Sequence, residues 1–104
     1  IDMQHGLIDQ AAMVTMLQAI STTPTVPVVR VPWLEPGVIM KSLDAGAYGV
    51  ICPMVNTRED AQKLVAYTHY APRGTRTIGT MSRPRQSATC IFSVSNDRPV
   101  CSMS

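Results

Sequence analysis

Charge is scarce in this chain of 104 residues: Asp, Glu, Lys and Arg make up 15% of it, with a net charge of +2. With no basic stripe, a nucleic-acid surface has no support. A low charged fraction also implies surface to be covered by further chain or by other subunits. Long apolar runs are missing too, and none approaches the roughly 18 residues of a membrane span. Residues 1–20 hold no basic stretch followed by an apolar one, so no secretory leader is expected there. No Gly-x-Gly-x-x-Gly follows any apolar run, which argues against a dinucleotide site or a phosphate loop. The three cysteines, Cys52, Cys90 and Cys101, are odd in number and lack metal spacing. Free thiols in a cytoplasmic protein are the simplest expectation.

Hydrophobic residues, by contrast, reach 45%, enough for a core. They fall into β-like runs, each followed by a helix pattern. Ile1-Asp2 looks like the last step of a strand. Asp9 can cap a helix over residues 10–21, whose Ala12, Met13, Met16, Leu17 and Ile20 share one face. Val26 to Val31 is β-branched and almost wholly apolar, as in a strand buried on both sides. Pro36 suits a helix start and Gly46 the position past its end, with Val38, Ile39 and Leu43 between them as a buried face. Tyr48 to Cys52 is the next strand. Thr57-Arg58-Glu59-Asp60 then resembles a capping box, opening a helix to about Tyr70 that buries Ala61, Leu64 and Val65. Consecutive strands roughly 22 to 27 residues apart predict parallel pairing with right-handed helical crossovers.

After about Gly79 the character changes. Residues 80–104 carry six serines, two prolines and two of the three cysteines. Only Cys90 to Val94 reads as a strand, and no helix pattern follows it. The expected organisation is a run of parallel β/α units over 1–79, which a barrel or a smaller doubly wound sheet could hold, and a poorly ordered tail over 80–104. The last 25 residues could be native, or could come from a frame error or a spliced or truncated end.

Five segments occur in order: Asp2-Met3-Gln4-His5-Gly6, Pro27 to Trp33, Ile39 to Ala47, Pro53-Met54-Val55 and Tyr70 to Arg76. Together they resemble the metal-dependent 4-hydroxy-2-oxoacid (class II) aldolase family of the HpcH/HpaI type, over roughly three quarters of the chain. The resemblance implies an α/β fold, a (β/α)8 TIM barrel of the phosphoenolpyruvate/pyruvate type, of which this chain would hold about three parallel β/α units, the second to the fourth. It implies retro-aldol cleavage of a 4-hydroxy-2-oxoacid to pyruvate and an aldehyde. It also implies a divalent cation (Mg, Mn or Co), a small keto acid as ligand, and a homo-oligomer, usually a hexamer. The family's metal-binding glutamate and aspartate would lie on later strands. Glu35, Glu59, Asp60 and Asp97 do not replace them, so the isolated chain is expected to be inactive.

The chemistry explains the residue types. Cleavage needs a base for the 4-hydroxyl proton, and an imidazole titrates near neutral pH. The resemblance gives that role to His5; the plainer alternative is a loop histidine beside Gly6. Arg30 ends an apolar strand, and its fork suits the carboxylate and 2-oxo oxygens of a keto acid or the enolate that forms. A structural ion pair with Asp2 or another acid is the alternative. The resemblance makes Asp44 an aspartate that raises the basicity of His5. Since the far end of a barrel helix lies away from the active site, that pairing needs an irregular helix or a neighbouring subunit. Asp2 could orient His5 or contact the aldehyde portion. Gln4 stands where the family commonly has glutamate. Arg83 or Arg85 could match a later family arginine. Trp33 and Met54 are candidates for an apolar substrate wall, with packing the expected role, and His69 suits a helix end. Two other readings remain: a citrate-lyase-type acyl-CoA lyase of the same superfamily, and a non-catalytic chain that only associates through its sheet edges.

Overall fold

Each of the three helices in the computed structural model starts on a side chain that caps it. The structure describes residues 1–77, together with the strand backbones at Thr89–Phe92 and Ser102–Met103. Helix α1 (Gln10–Ile20) begins after Asp9, whose carboxylate accepts the Ala12 N–H at 2.8 Å. Helix α2 (Pro36–Asp44) begins after Glu35, which accepts from both Gly37 and Val38 at 2.8 and 2.7 Å. Helix α3 (Arg58–Thr68) begins after Thr57, which accepts from Asp60 at 3.1 Å. Each cap satisfies N–H groups that have no partner within the helix.

The helix ends are equally local in origin. Beyond α2, Gly46 takes a φ of +110°, a conformation glycine adopts without a Cβ penalty. Helix α3 stops two residues earlier than expected, because His69 turns extended (φ −107°, ψ 142°). The His69 ring nitrogen Nδ1 lies 2.9 Å from the Val65 carbonyl, which can only accept, so the ring serves the helix terminus as expected. The chain then folds back over α3: Thr75 donates to Ala66 O at 2.8 Å and Arg76 to His69 O at 3.1 Å. Gly74 makes that return possible. A Cβ there would lie 2.2 Å from His69 O and 2.3 Å from Ala66 O.

Strands β1 (Val28–Arg30), β2 (Gly49–Cys52) and β3 (Thr89–Phe92) pair in parallel in that order. Ile1 to Met3 runs parallel on the outer side of β1. Its Met3 N–H donates to Arg30 O at 2.9 Å, and Ile1 O accepts from Arg30 N–H at 2.8 Å. The expected strand end at Ile1-Asp2 is therefore present. The strand expected at Cys90 to Val94 is β3.

One expectation needs correction: the sheet is not wholly parallel. β4 (Ser102–Met103) pairs antiparallel with β3. About nine residues separate the two, fewer than the dozen or more that a parallel crossover requires. Strand β1 is also shorter than the apolar run that predicts it. Val26 lies outside it and is exposed, whereas Val31 extends the ladder by donating to Ile51 O at 3.0 Å. The boundary expected at residues 79 and 80, Arg83, Arg85 and Asp97 lie outside the described residues, as do the side chains of Cys90 and Cys101.

The core gathers Met13 and Leu17 of α1, Val29 and Val31, Ile39 and Leu43 of α2, Val50 and Cys52, and Leu64 of α3. Helix α2 packs between α1 and α3. Apolar burial here dominates the folding free energy, at about 1.5–3 kcal/mol for each large side chain. The helices thus anchor the strands, and the strands' carboxyl ends carry the polar residues of interest.

Candidate functional site

Asp2 and Arg30 meet at the carboxyl edge of the sheet. The backbone bridge between them sets their side chains next to each other. Arg30 Nε donates to Asp2 Oδ1 at 2.9 Å, and Arg30 Nη2 donates to Asp2 Oδ2 in a short contact, so the fork is bidentate. Asp2 Oδ1 also accepts the backbone N–H of Gln4 at 2.9 Å and of His5 at 3.4 Å. One carboxylate therefore aligns the arginine and shapes the loop that carries His5. The Arg30 hydrogen bonds, and next the Gln4 N–H, hold the Asp2 carboxyl well below the usual carboxylate range. Asp2 in turn raises the Arg30 guanidinium, which stays charged.

The pair is not sequestered. Its side chains are 38% (Arg30) and 37% (Asp2) exposed. The fork uses Nε and Nη2, while Nη1 carries two further N–H donors. His5 is exposed on the adjoining loop. The ion pair anticipated as the alternative for Arg30 is thus formed, and it leaves the guanidinium within reach of a ligand.

Asp44 sits elsewhere. It ends α2, ahead of β2, on the side where the strands begin. Its Oδ1 accepts from Arg76 Nη2 at 2.9 Å. Arg76 is buried, and its guanidinium stacks on the Tyr70 ring at 4.6 Å. Asp44 also lines a cavity of about 430 Å³ with Leu17, Val26 and Tyr48. The structure therefore joins Asp2, Arg30 and the His5 loop, and places Asp44 at the opposite end. Helix α2 is regular up to Asp44, so no local irregularity carries that residue to His5. Arg76 was assigned no role from sequence; no local pattern signals a partner 32 residues away.

Trp33 and Met54 lie outside the core of the described residues. They are 65% and 45% exposed. For a cation, no group of three or more His, Cys, Asp or Glu side chains stands ready among the described residues. Both Asp2 oxygens already accept hydrogen bonds, and Gln4 offers an amide in place of a carboxylate. The donor set present does not fit a divalent ion, so no chemical step is routed through one below. No helix among the described residues is long and apolar enough to cross a membrane.

Known proteins share this arrangement of elements. The hydroxypyruvate/pyruvate aldolase of Rhizorhabdus wittichii is 53% identical over 79 residues, covering 76% of this chain and 32% of that protein. The 5-keto-4-deoxy-D-glucarate aldolase of Salmonella paratyphi A is 36% identical over 89 residues, covering 86% and 35%. A crystal structure of an HpcH/HpaI aldolase/citrate lyase family protein from Burkholderia cenocepacia superposes with a TM-score of 0.71 at 36% identity, over 79% of this chain and 34% of that one. The chain thus spans about a third of the length of its curated relatives. The family match itself extends over residues 1–99, and this chain belongs to the HpcH/HpaI aldolase/citrate lyase family.

Proposed function

We propose that these residues supply the keto-acid anchor and the base for retro-aldol cleavage of a 4-hydroxy-2-oxoacid to pyruvate and an aldehyde, within a complete (β/α)8 barrel. The observation that carries this reading is the Asp2–Arg30 fork at the strands' carboxyl edge, with His5 on the loop the same carboxylate organises. Ligands of parallel α/β sheets bind at that edge.

In this reading His5 accepts the 4-hydroxyl proton. The C3–C4 bond breaks, its electron pair passes into the pyruvate enolate, and the aldehyde carbonyl forms at C4. Arg30 donates to the substrate carboxylate and to the developing enolate oxygen, where a fixed cation stabilises charge without reorganising. Asp2 is a positioning residue for both. Proton return to C3 completes pyruvate. Asp44 raises the basicity of His5 from a second copy of the chain, in a homo-oligomer. A divalent cation (Mg, Mn or Co) would be held by a glutamate and an aspartate on later strands of a full-length protein, so this stretch alone is inactive.

A chimaera tests this reading. Residues 1–79 replace the matching third of the Rhizorhabdus wittichii aldolase, and pyruvate release from a 4-hydroxy-2-oxoacid is followed. Activity that falls at least about 100-fold with His5→Ala, and comparably with Arg30→Met, supports the assignment. Activity indifferent to both substitutions refutes it. Cleavage confined to acyl-CoA esters would favour the acyl-CoA lyase. No turnover, with concentration-dependent assembly, would favour a chain that only associates.

A further inference from the structure

Strand register aligns three loops at the carboxyl edge. Asp2 bridges to Arg30, and Arg30 pairs with Ile51. At the same step past the ladder, three residues on from each, stand His5, Trp33 and Met54. Trp33 and Met54 are 65% and 45% exposed, and neither joins the core cluster. Met54 has a φ of 59°, the left-handed region that residues other than glycine seldom occupy. Such backbone concentrates at ligand sites, where surrounding structure fixes it.

We propose that Trp33 and Met54 form the wall of the subsite for the aldehyde half of the substrate, and that this wall selects a 4-hydroxy-2-oxoacid with an apolar tail. The inference rests on reading Arg30 as the keto-acid anchor and His5 as the base. Arg30 then fixes the first two carbons and His5 the oxygen on the fourth. The rest of the molecule extends past His5, at the level of Trp33 and Met54. An indole face and a thioether exclude water from an alkyl or aryl group and offer nothing to a tail carboxylate. Arg58, at the start of α3, is the cation an anionic tail would use instead.

Trp33 is the sole tryptophan, so its fluorescence reports on this wall directly. The 104-residue chain is titrated with pyruvate, 2-oxohexanoate and 2-oxoadipate, with calorimetry as a second readout. The expected order is 2-oxohexanoate about tenfold tighter than the other two, the effect of burying about two methylenes. Met54→Gly, which suits a left-handed backbone and so keeps the fold, should bring 2-oxohexanoate to within about threefold of pyruvate. Arg30→Met should abolish binding of all three. Equal affinities, or tighter 2-oxoadipate, with the Arg30 dependence intact would overturn the apolar wall and leave the anchor standing. No binding by the native chain, or binding indifferent to Arg30→Met, would overturn the anchor and the wall with it.

Discussion

Two aspartate–arginine pairs occupy opposite ends of this sheet, and their surroundings give them different tasks. Asp2 and Arg30 make a bidentate fork with both side chains more than a third exposed. Asp44 and Arg76 make a single bond at 2.9 Å, with the Arg76 side chain 3% exposed and stacked on Tyr70. Water screens the first pair, so its attraction contributes little to stability and its donors remain open to a ligand. In the second pair the Arg76 guanidinium is shielded, so its attraction to Asp44 is screened less by water. Residue type is identical in the two places; burial decides which guanidinium is shut off from water and which stays open to it.

The largest effect is therefore expected from Arg76→Met. It should lower the unfolding free energy by about 3 kcal/mol, from loss of the charged hydrogen bond to Asp44 and of the stacking on Tyr70. Urea unfolding measures it, and a loss under about 1 kcal/mol would erase the contrast between the pairs. Next comes Gly74→Ala, which places a Cβ against two carbonyl oxygens in the turn that delivers Arg76. A loss of about 2 kcal/mol is expected, typical of overpacking, and a neutral result would show that the turn can shift.

Arg30→Met should cost less stability than either, yet remove 2-oxoacid binding in a calorimetric titration. A protein that unfolds instead would make Arg30 structural. The smallest effect is in the acid range. The Asp2 carboxyl titrates lower in the folded chain than its ordinary value of 3.8. The folded state therefore binds its proton less readily than the unfolded state does. The resulting stability is fully present above the ordinary value and is lost as pH falls below it. Asp2→Asn should flatten the fall in urea midpoint between about pH 4 and pH 2. Identical slopes would mean the fork does not persist in solution.

Much of the scaffold is readable locally. Asp9, Thr57 and Gly46 mark helix boundaries through bonds and dihedrals that span three residues or fewer. The core positions Met13, Leu17, Ile39, Leu43 and Leu64 follow from helical period alone. Pro36 marks the start of α2 in the sequence, whereas its cap is Glu35, a residue type outside the usual capping set, whose carboxylate binds two N–H groups there. The run Val26 to Val31 overstates β1, since β-branching does not say where a neighbouring strand ends. Trp33 and Met54 looked like packing residues, and their exposure follows from where the loops leave the sheet.

By itself, then, the sequence determined the alternation of strands and helices, the caps of α1 and α3, most of the buried faces (Met16 of α1 is exposed) and the family to which these motifs belong. All of these depend on contacts within a few residues or on a pattern with a fixed period. Only the tertiary structure decided that Arg30 is held by Asp2, that Asp44 faces Arg76 at the other end, that β4 runs antiparallel, and that Asp2, Arg30 and Ile51 share one register. Those relations join residues about 10 to 30 positions apart, and they are set by strand register and by burial, which no local pattern encodes.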